Sequence, residues 1–333
     1  MLQSTSKGEG GPMRLIRTGF AAIAAIVLAL TAAGAEDYPA KPVRIIVPFE
    51  PGGINDVAAR VIATHLSERL GKQFLAEYKS GAGGMVGTEY VSHQPADGYT
   101  IAVVSVANAV HPAMYKLTYD LRKAFDPVAM LITSPMTLAI NPGVPAQNLK
   151  EFIALAKAKP GDLQYASGGV GGALHLGMEL FKLTAHVDLL HVPFRGAGPA
   201  AIDVVAGNTK AVTASTSTIS PHVRSGKLRG LAVSSKQRLP AEPDVPTFIE
   251  AGLPEYVAGN WIGFAVPAGT PKAIIEKLHD EIIKIQELPE VQKQMEARGA
   301  TVDKMGIEEF GAFMDSELAK WSRVVKAAKI KAE

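Results

Sequence analysis

The chain has 333 residues, with 34 Lys and Arg against 32 Asp and Glu for a net charge of +2, so it presents no basic field of the kind that attracts nucleic acid. It contains no cysteine, which excludes disulfides, zinc-thiolate sites and a cysteine nucleophile at once. Hydrophobic residues at 47% and charged residues at 20% are the balance of an ordinary globular protein, and the length fits two domains.

At the N-terminus Arg14 and Arg17 precede the apolar run 19–30, which passes into small residues and the "AGA" of 33–35. This is the pattern of a secretory signal peptide (1–35), cut near Ala35; an uncut anchor is the alternative. Residues 1–12 are polar and contain glycine, so Met13 is a second candidate start. The apolar run is shorter than the roughly 20 residues of a membrane span.

From Val43 short apolar runs alternate with helical periodicity. "VRIIV" (43–47), "QFLAEY" (73–78) and "YTIAVVS" (99–105) read as strands, and Val57, Val61, Ile62, His65 and Leu66 share one helix face. A helix is expected over 85–92. A second series follows: "MTLAI" (136–140), a helix over 149–158, "LQYAS" (163–167), a helix over 174–183, "LLHVPF" (189–194), a helix over 199–206, "KAVTAS" (210–215), a short helix to Arg224, and "LRGLAVS" (228–234). The proline-rich stretch 240–254 reads as a connection with one short helix over 247–251. "WIGFAVPAG" (261–269) is a further buried strand, and helices over 271–286, 289–298 and 307–329 close the chain. Strands that alternate with helices and are apolar throughout imply parallel sheets covered on both faces. The closing helices are expected to return to the first unit, giving domain 1 as 36–135 plus 256–333 and domain 2 as 136–255, with two crossovers.

Two loops share one design of strand, glycine-rich turn and helix: "VPFEPGGINDVAAR" (47–60) and "YASGGVGGALHLGMEL" (165–180). Each helix starts with unpaired backbone N–H groups at the positive end of its dipole, and glycine lets a ligand approach the backbone. Two such ends facing one cleft would clamp an anion; the plain alternative for each is a tight helix start with glycine needed only for packing. Neither loop fits G-x-G-x-x-G, and the sequence holds no G-x-x-x-x-G-K-[ST] and no H-E-x-x-H. Ser167 in "YASGG" lacks the first glycine of the G-x-S-x-G elbow. The eight histidines show no metal-ligand spacing. His175 is a candidate to face a carboxylate or to bond its own loop. Arg195 is a candidate cleft residue or a partner in a surface salt bridge, and for His191 packing is the better reading. The glycine-rich loop 80–90 follows an edge-type strand and suits close packing rather than phosphate.

Taken together, "YPAKPVRIIVPFEPGG" (38–53), "GAGGMVG" (81–87), "PADGYT" (95–100), "HLGMELF" (175–181), "HVPFRGAGPAAIDVVAG" (191–207), "DVPTFIEAG" (244–252) and "PAGTP" (267–271) resemble the extracytoplasmic solute receptors of the tripartite tricarboxylate transporter family, the Bug or TctC-type periplasmic binding proteins. The resemblance covers nearly all of the mature chain. It implies an α/β fold, a periplasmic binding protein type II-like Venus flytrap with two α/β domains joined by crossover strands. It also implies a monomeric, non-enzymatic receptor without cofactor or metal, which hands a small carboxylate to the membrane subunits of the transporter.

Mapped onto this chain, the family's grip falls on Phe49, Glu50, Pro51, Gly52, Gly53, Asn55 and Asp56 in one arm. Ser167, Gly168, Gly169, Gly171, Gly172 and Ala173 form the other, with His175 on the helix beyond. Ser105, Ala107 and Asn108, then Arg195, and then Thr213, Ser215 and Thr216 complete the cleft. The sequence departs from the family at "TASTST" (213–218), where an acidic or amide residue is frequent, and at Glu50, where many members carry a small residue or proline. Glu50 suggests a ligand with an amine or another donor at its far end; the plain alternative is a loop-tip carboxylate in water. Signalling to a membrane sensor is an alternative role, and a periplasmic hydrolase a weaker one.

Overall fold

The computed structural model describes residues 38–330, apart from 171, 241 and 257; the expected signal peptide lies outside the described residues. The apolar run at 43–47 becomes β1 (Val43–Val47), the centre of a parallel trio with β2 (Phe74–Tyr78) and β3 (Thr100–Ser105). Between them run α1 (Ile54–Leu70) and α2 (Met85–Ser92). The buried face of α1 carries Ala58, Ala59, Ile62, Ala63 and Leu66, spaced as a helix packed on a sheet requires.

After β3 the chain forms α3 (Val106–Met114) and the single turn α4 (Leu121–Ala124), then β4 (Phe125–Ile140), which passes from one lobe to the other. Residues Phe125 to Pro135 pair with β9 (Gly259–Pro267), while Met136 to Ile140 pair with β7 (Ala211–Ser215) and β8 (Arg229–Val233). All three pairings are antiparallel, as is that of β3 with β9. The expectation of purely parallel sheets therefore holds for β1 to β3 and for β5 (Gln164–Ser167) with β6 (Leu190–Pro193) and β7, and fails at the crossover strands. A chain that enters the second lobe and returns runs its connecting strands against each other, and apolar runs carry no direction.

β4 holds two prolines. Pro127 sits at a register shift and Pro135 at the last pairing with β9, positions where a missing N–H takes nothing from a ladder. A second shift lies between Met130 and Ile132, and the buried Gln286 side chain donates to the carbonyls of Met130 and Leu131, each at 2.9 Å.

The second lobe adds α5 (Leu149–Ala158), α6 (Ala173–Ala185), α7 (Ala197–Ala206) and α8 (Thr216–Arg224) around β5 to β8. The helix expected over 247–251 is one hydrogen-bonded turn instead. The Glu250 carboxylate accepts the Thr247 N–H at 2.8 Å and Thr247 Oγ1 accepts the Glu250 N–H at 3.1 Å. The chain then leaves the turn at Gly252, where φ is +86°, a conformation glycine adopts without strain. The chain closes with α9 (Lys272–Gln286), α10 (Pro289–Glu296), the two-residue β10 (Thr301–Val302) beside β4, and α11 (Ile307–Ala328). The buried Glu317 on α11 accepts the indole N–H groups of Trp261 at 2.9 Å and Trp321 at 2.8 Å and pairs with Lys320, which pins α11 to the return strand β9. Two α/β lobes joined by crossover strands make this a Venus-flytrap fold.

Candidate functional site

A cleft of about 510 Å³ lies between the lobes. Phe49, Ile54, Asn55, Gly83, Ser105, Val106, Ala107, Val110, His111, Met114 and Tyr115 line it from the first lobe. Val170, Gly172, Ala173, Leu174, Leu176, Ala197 and Ser215 line it from the second, and Ser134, Met136 and Asn260 from the crossover strands.

The lining is built largely from helix starts. Ile54 and Asn55 begin α1, Val106 and Ala107 begin α3, Ala173 and Leu174 begin α6, Ala197 begins α7, and Ser215 is the residue before α8. The first N–H groups of a helix have no partner within it and sit at the positive end of its dipole. Gly53, Gly172 and Gly196, the residues before α1, α6 and α7, bring no side chain to satisfy them. Among the described residues of the lining there is no Lys, Arg, Asp or Glu, so no charged side chain of the lining competes with those N–H groups.

Of the residues expected in the site from the sequence, Phe49, Asn55, Ser105, Ala107, Gly172, Ala173 and Ser215 line the cleft. Gly171 lies outside the described residues. Several others brace the walls from behind. The buried Asp56 accepts the Gly52 N–H and the Tyr78 hydroxyl, both at 2.8 Å, which fixes the turn before α1; at Gly52 φ is +93°, a glycine conformation. Asn108 Oδ1 accepts the Ser105 N–H and its amide donates to Thr88 Oγ1, each at 2.8 Å. Thr216 Oγ1 donates to the Pro135 carbonyl at 3.2 Å, and Thr213 Oγ1 to the Leu174 carbonyl at 3.3 Å.

Ser167, Gly168, Gly169 and His175 form the floor beneath the second arm. Ser167 Oγ lies 2.6 Å from His191 Nε2 and accepts the Gly169 N–H at 3.2 Å. A Cβ on Gly168 would stand 3.2 Å from the Ala197 nitrogen, so glycine lets the starts of α6 and α7 converge. The His175 and His191 rings stack at 4.0 Å, His191 stacks on Tyr165 at 4.8 Å, and the Tyr165 hydroxyl donates to Glu179 at 2.6 Å. Burial is the main cause that lowers the pKa of both imidazoles to about 4, so both are neutral at pH 7. A Ser–His pair at this distance invites a hydrolase reading, but Ser167 is fully buried and no substrate carbon could reach its oxygen.

Glu50, Pro51 and Gly53 are exposed at the rim, and Glu50 accepts the Ser80 hydroxyl rather than lining the cleft. Arg195 is exposed, and among the described residues it neither lines the cleft nor forms a salt bridge.

The residues that sequence reasoning missed come chiefly from α3 beyond its first turn: Val110, His111 and Met114. Their signal was present, since Ser105 is followed three positions later by Asn108, and Val106, Ala109, Val110 and Ala113 repeat at helical spacing.

A two-lobed fold with an unoccluded interlobe cleft of this construction is that of a periplasmic solute-binding receptor. A family model described as "Tripartite tricarboxylate transporter family receptor" (TctC) matches residues 58–330, and the chain belongs to that family, one of solute-binding receptors rather than enzymes. It is 36% identical over 306 residues to protein BugT of Bordetella pertussis, covering 89% of this chain and 93% of that one. Among solved structures it resembles a TctC solute binding protein from Polaromonas, with a TM-score of 0.80 at 30% identity, covering 87% of this chain and 99% of that one. It also resembles MatC from Rhodopseudomonas palustris with bound malate, with a TM-score of 0.67 at 31% identity, covering 86% of this chain and 100% of that one.

Proposed function

We propose that this protein captures a small carboxylate between its lobes and delivers it, as a monomer, to the membrane subunits of a tripartite tricarboxylate transporter. In this reading the N-terminal segment is a signal peptide removed near Ala35, and the lobes divide as 36–135 plus 256–333 and 136–255. The observation that carries it is the convergence of helix starts from both lobes on a cleft with no charged side chain among its described lining residues. An N–H bond to a charged acceptor contributes about 1.5–3 kcal/mol, and micromolar affinity needs about 8 kcal/mol. Three or four such bonds, with apolar burial to offset the cost of ordering, reach that range. The malate held by MatC supports a carboxylate as the ligand class. Among the described residues no helix is long and apolar enough to cross a membrane.

The test is calorimetric titration of the mature chain with hydroxy, aromatic, dicarboxylic and amino acids, each beside its uncharged amide. The expected result is one-to-one binding of at least one acid with its amide inert, and a ligand at 100 times its Kd should add about 2.7 kcal/mol of stability. Equal binding of acid and amide, or no acid bound at millimolar concentration, contradicts the proposal.

A further inference from the structure

Three polar atoms of the cleft lining, His111 Nδ1, Asn55 Oδ1 and Ser105 Oγ, are buried without a hydrogen-bond partner among the described residues. His111 is 5% exposed, lines the cleft from the inner face of α3, and its Nδ1 is buried without a hydrogen-bond partner. The other ring nitrogen, Nε2, faces Gly83 and the imidazole bonds to the Gly83 backbone. That bond raises the pKa of the ring, as one to a carbonyl does, and Nδ1 has no partner, so the proton is assigned to Nε2 and the lone pair to Nδ1. Burial lowers the pKa of the ring to about 4, so the lone pair is not taken by a proton at pH 7. Asn55, in the first turn of α1 and on the same lobe, contributes the second atom: its Oδ1 is also buried and unpartnered. A buried acceptor left without a donor costs about 1–3 kcal/mol, and native proteins leave few such atoms unexplained.

His111 Nδ1 and Asn55 Oδ1 are acceptors, so what completes them is a donor; Ser105 Oγ gives or takes a hydrogen bond and decides nothing between the two. The donor is neutral, because the described lining offers no carboxylate to pair with an ammonium and Glu50 is bonded to Ser80 at the rim. The space around them is walled by Phe49, Val110, Met114, Met136, Leu174 and Leu176, which suits a carbon skeleton rather than further charge. This inference rests on the carboxylate reading above. We propose that the ligand is a hydroxy acid with an apolar body, its carboxylate held at the helix starts and its hydroxyl donating to His111 Nδ1 or Asn55 Oδ1. Simple deoxy acids and amino acids are then poorer ligands.

Calorimetry with benzoate, its three monohydroxy isomers, hexanoate, 2-, 3- and 6-hydroxyhexanoate, and 6-aminohexanoate tests this. At least one hydroxy acid should bind about tenfold or more tighter than its deoxy parent, which corresponds to about 1.4 kcal/mol, and 6-aminohexanoate should not share the gain. His111→Phe should bring the affinity ratio of that hydroxy acid to its deoxy parent down to about one, whatever it does to the affinity of both. Asn55→Ala, whose side chain is only half-buried, gives a second reading should His111→Phe fail to fold. If the parents bind as tightly as every hydroxy isomer, or if the advantage survives both substitutions, the hydroxyl proposal is overturned while the carboxylate reading stands. If none of the acids binds, both fall.

Discussion

Acidification should unfold this protein in a window set by its buried histidines rather than by its carboxylates. His111 and His175 are 5% and 6% exposed, and burial is the first cause that lowers each from 6.5 to about 4. A histidine that is harder to protonate when folded leaves the unfolded state binding more protons, so its contribution is complete above pH 6.5 and is lost as pH falls toward 4. At pH 5 about 1.5 pH units of that gap have been crossed, and at about 1.4 kcal/mol per unit each ring withdraws about 2 kcal/mol. His191, stacked on His175, acts in the same direction. Glu242 and Asp303 oppose it, because burial raises their pKa and the folded state gains from their protonation. The net loss between pH 7 and pH 5 should be about 2–4 kcal/mol, a large share of a typical stability of about 5–15. Urea unfolding followed by far-UV circular dichroism at pH 7, 6 and 5 reads it directly. A midpoint that does not move between pH 7 and 5, or that rises, refutes the claim that these imidazoles are held neutral by burial.

Gly263→Ala places a methyl 2.3 Å from Phe310 Cζ and 2.9 Å from the Ala129 carbonyl oxygen; the ring must move and the backbone oxygen cannot. A loss of about 1–3 kcal/mol is expected, measured by urea unfolding, with an unchanged m-value. Glu50→Ala should leave the order of ligand affinities as it is, because this carboxylate is exposed and bonded to Ser80 outside the cleft; a reordered ranking by calorimetry would place Glu50 in the site after all.

Most of the secondary structure was legible because the strands are apolar and the helices periodic. Val43–Val47 and Met85–Ser92 have the bounds that pattern alone assigns. The outer half of β4 was not, since Asp126, Pro127, Thr133, Ser134 and Pro135 interrupt its apolar run. Only the partner strand β9 shows that the prolines fall at a register shift and at the crossover. α3 goes unassigned despite its helical spacing, because it follows β3 without a break and contains Pro112. That omission removed His111 from view, and with it the cleft's most buried unsatisfied ring. The glycine loops were legible as helix starts, but sequence could not separate residues that face the cleft from those that brace it. Asp56 and Asn108 look like ligand groups, yet their oxygens are consumed by Gly52, Tyr78 and Ser105. Partnering of that kind is a tertiary fact.

In the proposed function, backbone N–H groups at helix starts hold the carboxylate from both lobes. Proline at the first position of a helix deletes one such N–H and leaves the helix intact. Gly53 and Gly172 already have the extended conformation, with ψ of 169° and 164°, that a residue before proline requires. Titration calorimetry of Ile54→Pro and Ala173→Pro against the best-binding acid is the direct measurement. Each should lose about tenfold or more in affinity with its unfolding midpoint nearly unchanged. Unchanged affinity in both, with the fold retained, would show that these N–H groups do not hold the ligand.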